Sequence, residues 1–291
     1  MTATASLLPV PFEDRYETRR QLWLDGPHGG WLTYDRILCR EVVLNIPYRP
    51  NDNCRFITRA KLRASLRHAN LIPIFDFSVT SEGKPYFTEP YFPIFFFLDD
   101  FLNDGSQDSL RKLARFQLQV CEAVRYLHSN DLLHLNLTPK EVLIVQPFEE
   151  VFLVRGLPSL PAGLTASEYN SLTFQVSGSL GYMAPEQLDP DRNGPITVQT
   201  DVYGLGGILY FTLYGKAPNE SLSMTKKDIL ESLATGKGSP TRGRLQFTER
   251  SSRKLAKRLE PICLRALNRD LARRHESVME FTKDLVGALM L

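Results

Sequence analysis

Little in these 291 residues is extreme, and each thing the chain lacks removes a class of protein. Cysteine is scarce: Cys39, Cys54, Cys121 and Cys263 are scattered, with no CxxC pair. A disulfide framework or a zinc knuckle needs closer or patterned spacing, so these read as reduced, mostly buried thiols. No sign of charge dominates, since 35 Lys and Arg face 33 Asp and Glu for a formal +2. That near-balance argues against a dedicated nucleic-acid surface, although it leaves room for local patches. Long hydrophobic runs are missing too. The longest, around Tyr91 to Leu102, is broken by Pro93, Asp99 and Asp100 and falls short of the ~20 residues that cross a bilayer. Met1 to Phe12 has neither a basic n-region nor a sustained apolar stretch, so no signal peptide is expected and the cytoplasm is the expected location. Repeats and low-complexity segments are absent. What remains is a chain long enough for one large domain or two lobes, each with its own core.

Hydrophobic periodicity divides the chain. Residues 1–15 read as a tail with Pro9 and Pro11. From Tyr16 to about Tyr91 short β-rich runs alternate with one helix. The run Glu41 to Ile46 is a strand bounded by Pro47 and Pro50. Phe56 to Arg67 has helical spacing, and Leu71 to Val79 and Pro85 to Phe92 read as strands joined at Glu82-Gly83-Lys84. Beyond Pro93 the period becomes helical. Ser109–Ser129, Val202–Tyr214, Ser252–Asn268 and Glu276–Leu291 predict four helices, the second apolar all round and therefore buried. Ile94-Phe95-Phe96-Phe97 reads as the buried start of a helix, with an exposed protein-binding patch as the alternative. The outline is α+β: a small β-rich lobe over 16–91 and a larger helical lobe over 94–291.

The strongest local string is Gly178-Ser179-Leu180-Gly181-Tyr182-Met183-Ala184-Pro185-Glu186-Gln187, followed by Asp201-Val202-Tyr203-Gly204-Leu205-Gly206. With Arg67-His68-Ala69-Asn70-Leu71-Ile72 upstream and Asp270-Leu271-Ala272-Arg273-Arg274 downstream, the order resembles the protein kinases, in particular the bacterial eukaryotic-like Ser/Thr branch. The resemblance covers roughly Tyr16 to Leu291 and implies the two-lobed kinase fold. It also implies structural roles. Glu186 and Arg274 would form a buried ion pair, Asp201 would accept backbone N–H groups of the catalytic-type loop, and His134 and Ser179 would belong to the scaffold.

Phosphoryl transfer needs a cation on the phosphates, carboxylate and amide ligands for magnesium, and a carboxylate to receive the attacking hydroxyl. The resemblance places those slots on residues of the wrong kind. The strand Val42-Val43-Leu44-Asn45 puts Asn45 where the lysine belongs, and Val43 where a small alanine leaves room for adenine. The partner glutamate falls on Arg59. The catalytic loop reads His134-Leu135-Asn136-Leu137-Thr138-Pro139-Lys140-Glu141, with Asn136 for the aspartate and Glu141 for the metal-binding asparagine. Arg155 stands at the main magnesium-ligand position, where a guanidinium offers no lone pair and repels a cation. The glycine-rich loop falls on Trp23, Asp25 and His28, with Gly26 nearby but out of register. A lysine from elsewhere, Lys61 or Lys84, would mend only one of these slots.

Two exchanges read as compensatory. Glu141 and Arg155 could pair across the metal site, and Glu89, at the gatekeeper position, could pair with Arg59 and plug the nucleotide pocket from behind. Pro90, Phe92 and Leu143 complete the doubtful nucleotide positions, and metal-free nucleotide binding through the Pro90 carbonyl and Phe92 N–H stays open but not favoured. The expectation is thus a pseudokinase with no catalytic residues, no metal and no cofactor, which binds another protein, an active kinase among the candidates, and neither nucleic acid nor membrane. The alternative is an active Ser/Thr kinase with displaced catalytic groups. Thr165, Ser167, Ser171, Thr173 and Ser177 offer hydroxyls for modification.

Overall fold

β-Branched and aromatic residues at alternating positions build five strands in the first third of the chain: β1 (Tyr16–Trp23), β2 (His28–Asp35), β3 (Arg40–Pro47), β4 (Asp76–Val79) and β5 (Pro85–Pro90). The computed structural model describes residues 14–23, 28–103, 110–147, 149–153, 160–161, 180–219, 240 and 242–290. The chain forms two units, Met1–Arg67 with Leu71–Ile94, and His68–Asn70 with Phe95–Leu291.

In the first unit the strands pair antiparallel in the order β1-β2-β3-β5-β4. Side chains alternate between faces, so the sheet has two distinct cores. One face gathers Tyr16, Trp31, Val42, Leu44, Ile46 and Tyr86. The other packs against helix α1 (Asn53–Ser65), where Phe56 and Ala60, four residues apart, meet Phe87 with Ile74 and Phe77 around them. The strand expected from Leu71 is shorter and begins at Asp76. Pro73 has no N–H to give a ladder, which suits an extended approach rather than a strand. At the sheet corner Asp35 caps the β2–β3 turn by accepting from the backbone N–H of Ile37 (3.0 Å) and Leu38 (3.2 Å). Arg15 pairs with the same carboxylate at 2.8 Å and also with Asp76.

In the second unit the elements are β6 (Phe95–Phe97), α2 (Leu98–Asn103), α3 (Leu110–His128), β7 (Leu132–Leu133), β8 (Val142–Val145), β9 (Glu150–Leu153), β10 (Leu160–Pro161), α4 (Pro185–Leu188), α5 (Pro190–Asn193), α6 (Val198–Tyr214), α7 (Arg250–Ala266) and α8 (Val278–Met290). Helix α6 is buried along almost its whole length. Thr197 caps its start by accepting from Gln199 N–H at 3.2 Å, and Gly215 ends it at φ 71°, a conformation that a side chain would strain. Helices α3, α7 and α8 pack against it with one apolar face each.

Two expectations are corrected. The Phe95–Phe97 segment is not a buried helix start: it is a strand hydrogen-bonded to β8, and the helix begins only at Leu98. Among the described residues it is the edge of the sheet β6-β8-β9, and Phe95 is 37 % exposed. The thiols also split evenly, with Cys121 and Cys263 buried and Cys39 and Cys54 exposed. Cys39 lies in the β2–β3 turn at φ 51°, outside any core. Among the described residues no helix is long and apolar enough to cross a membrane.

Candidate active site

Strand register decides what the first unit presents. Gly30, Asn45 and Phe87 are direct cross-strand partners, as are Leu32, Val43 and Glu89, so all six lie on one face of the sheet. This is the face that carries the nucleotide positions implied by the sequence. It is filled from within. A Cβ at Gly30 would stand 2.2 Å from the Trp23 indole, so the indole lies directly over Gly30, beside Asn45. Phe56 stacks on Phe87 at 5.0 Å, and the His28 ring meets both at 5.7 and 6.1 Å. Asn45 itself is wholly buried, and neither its amide nitrogen nor its oxygen has a hydrogen-bond partner among the described residues. Val43 is buried next to it.

Glu89 is buried and paired, but not with Arg59. Its carboxylate receives Arg63 at 2.8 Å, and Arg63 also donates to the Ile72 carbonyl at 3.3 Å and lies 5.1 Å over the Phe87 ring. Arg63 follows Arg59 by one helical turn, and that turn carries the guanidinium to the level of β5 where Glu89 sits. Arg59 is half-buried, with no ion pair to a described residue. Its pKa is lowered first by burial and then by the neighbouring Arg55, against a smaller opposing pull from Asp52. Pro90 ends β5 opposite Val42, and Phe92 is half-buried beyond it. Gly26 lies outside the described residues, as does Asp25.

In the second unit the catalytic-type loop is held from outside. Both oxygens of Asp201, in the first turn of α6, accept consecutive backbone N–H groups, from His134 and from Leu135, each at 2.7 Å. His128 Nε2 adds a third contact at 2.8 Å. Aiming two successive N–H groups at one carboxylate requires a local reversal, and Leu135 takes it, at φ 59°. Gln187 clamps the same residue from α4, donating to the Leu135 carbonyl at 2.8 Å while accepting from Ala184 N–H at 3.0 Å. His134 is fully buried. Burial pushes its pKa down to about 4 against the opposing charge of Asp201, so the ring is neutral.

The side chains of chemical interest follow. Asn136 donates from its amide to Glu141 Oε1 at 3.0 Å. The carboxylate at 141 therefore contacts the residue in the proton-acceptor slot, five positions back along the same loop. Its proposed partner Arg155 lies outside the described residues, as do Ser179 and the hydroxyls from Thr165 to Ser177. Leu143 is buried in β8, opposite Phe97 and Phe152. A cavity of about 10 Å³, room for about one water, lies between Asn136, Thr138, Tyr182 and Thr200. No cluster of three His, Cys, Asp or Glu able to hold a metal occurs among the described residues.

Glu186 and Arg274 form a bidentate pair at 2.7 and 3.2 Å, both fully buried. Arg274 also donates to the carbonyls of Asn268 (3.0 Å) and Gln199 (2.7 Å) and lies 5.1 Å over the Tyr203 ring. Every guanidinium edge is thereby used, which a buried charge requires. Tyr203 is pushed up to about 12, chiefly by burial.

A lone carboxylate from a buried helix holding a catalytic-type loop, and a buried Glu–Arg pair locking the Ala-Pro-Glu segment, define the protein-kinase architecture. The chain belongs to the protein kinase domain family, whose model matches residues 47–284. Among curated proteins it is similar to the serine/threonine-protein kinase PknD of Chlamydia caviae, at 28% identity over 93% of this chain and 31% of that protein. It is similar too to PrkC of Bacillus subtilis, at 25% identity over 94% of this chain and 40% of that one. The DNA damage-responsive serine/threonine-protein kinase RqkA of Deinococcus radiodurans is 30% identical over 70% of this chain and 30% of its own. The chain thus spans well under half the length of these relatives.

Proposed function

We propose that this chain is a kinase-fold module that does not transfer phosphate and acts by binding another protein. The observation that carries the reading is the sheet face of the first unit. Where the family places its phosphate-holding lysine the chain has Asn45, buried and uncharged, and the Trp23 indole covers the neighbouring Gly30. A nucleoside triphosphate carries several negative charges, and this face offers it no lysine and little space. The described loop does not suit phosphoryl transfer either: Asn136 is an amide where a proton acceptor is needed, and its nitrogen donates to Glu141. The binding partner in this reading is a protein, an active kinase among the candidates, met in the cytoplasm.

A second reading, an active Ser/Thr kinase, is favoured by two observations. The relatives carry serine/threonine kinase names. In addition, Asn136 and Glu141 keep one amide and one carboxylate in contact, a swap of positions rather than a loss of both groups. Labelled phosphate transfer from ATP with magnesium, to itself and to a generic acceptor protein, separates the two. The first reading expects incorporation at background and no magnesium-dependent rise in melting temperature on adding ATP. Incorporation that disappears in Glu141→Ala would refute it.

A further inference from the structure

Helix α7 carries a feature that neither reading uses. Arg250, Arg253, Lys254, Lys257 and Arg258 fall at spacings of three and four, which places five cations on one stripe of the helix. Leu255, Ala256 and Leu259 lie on the opposite side and are buried in the second unit. Four of the five bases are exposed and Arg258 is half-buried. None of them has an ion pair among the described residues. The carboxylates nearest in sequence are engaged elsewhere: Glu249 accepts from Ser251 and Ser252, and Glu260 receives Arg242 and the Tyr214 hydroxyl.

The stripe works against the helix that carries it. Like charges three and four residues apart repel, and cations in the first turns oppose the helix dipole; the one acid at the start of α7 is Glu249 at the N-cap, against five cations. A sequence under selection for stability alone would alternate the signs. We propose that this face docks an acidic helical segment of a partner protein. The rows Arg250/Lys254/Arg258 and Arg253/Lys257 run along the helix with the same rise per turn that glutamates show on a second helix laid against it, so the complementarity extends to the spacing. A membrane fits less well, because the apolar face such a helix would insert is already buried in the core. Nucleic acid fits less well too. The stripe has no aromatic residue for stacking, and without these five charges the formal +2 of the chain becomes net negative. The inference rests on the protein-binding half of the proposed function and not on catalytic silence.

The test uses the full chain and a fluorescein-labelled helical peptide with glutamates at alternating three- and four-residue spacing. Binding by fluorescence anisotropy is expected, and it should weaken steeply as salt rises from about 0.05 to about 0.5 M. The double variant R253E/K257E should bind at least about tenfold more weakly, since two of five attractive contacts become repulsive. The same variant should melt no lower than the parent, because it relieves the repulsion on α7, and this shows that the loss is not one of folding. Peptide binding within about twofold in the variant would overturn the proposal, as would tighter, charge-dependent binding of polyuridylate or phosphatidylserine vesicles. Phosphate incorporation together with peptide binding would refute the silent reading and support the stripe.

Discussion

The Glu186–Arg274 pair allows a worked test of what holds the second unit together. Glu186→Gln keeps the shape and removes the charge. Arg274 then stays fully buried with two carbonyl acceptors, those of Asn268 and Gln199, and loses its counter-ion. Removing one partner of such a pair costs about 3–5 kcal/mol, because the remaining charge has no access to water. With a urea slope of about 3 kcal/mol/M, the midpoint should fall by roughly 1–1.7 M. The chain supplies two separate probes. Both tryptophans, Trp23 and Trp31, lie in the first unit, so their fluorescence reports its unfolding, while circular dichroism at 222 nm is dominated by the helices of the second. The shift belongs in the dichroism curve. Replacing the pair by apolar residues, Glu186→Leu with Arg274→Met, should recover most of the loss, since no buried charge is then left alone. A midpoint change below about 0.3 M in Glu186→Gln, or a double variant as unstable as the sum of the singles, would refute the reasoning.

Three further outcomes follow from the structure. Gly30→Ala drives a Cβ to 2.2 Å from Trp23 and should destabilise the first unit by about 1–3 kcal/mol, a loss that Trp23→Ala relieves in the double variant when measured by thermal melting. His134 is neutral when folded, with a pKa of about 4 against 6.5, so the unfolded chain binds the proton first as pH falls. Its contribution is complete above about pH 6.5 and is lost on acidification towards pH 4, by about 3 kcal/mol in all; urea midpoints across that range should slope less in His134→Gln. Ellman's reagent should titrate two thiols at once, Cys39 and Cys54. Cys121, pushed up to about 12 by burial, and Cys263, raised likewise, should react only on unfolding.

Long-period features were legible in the sequence. The helices beyond Pro93 lie within a few residues of their expected bounds, because a one-sided apolar pattern over four or five turns admits few alternatives. Side-chain partners were less legible. Arg59 and Arg63 share a helix face one turn apart, and only the register of α1 against β5 gives Glu89 to Arg63. The contact of Glu141 with Asn136, five positions back in its own loop, has no periodic signal in the sequence, and the pairing expected with Arg155 lies outside the described residues. Each glycine of the pair Gly29-Gly30 sits under an indole, Trp31 over Gly29 and Trp23 over Gly30, a packing signal that a glycine count does not carry. Phe95 to Phe97 misled because a run of three aromatics reads equally as strand or buried helix, and nothing local decides between them.

The way the catalytic-type loop is held separates its form from its chemistry. Its backbone is shaped by Asp201 and Gln187, which reach in from two helices and meet the loop at main-chain atoms of His134 and Leu135. The side chain at 136 carries none of that support. Mutation there can exchange one polar group for another of equal size while the loop keeps its form, so the chemistry of position 136 is separable from the fold around it.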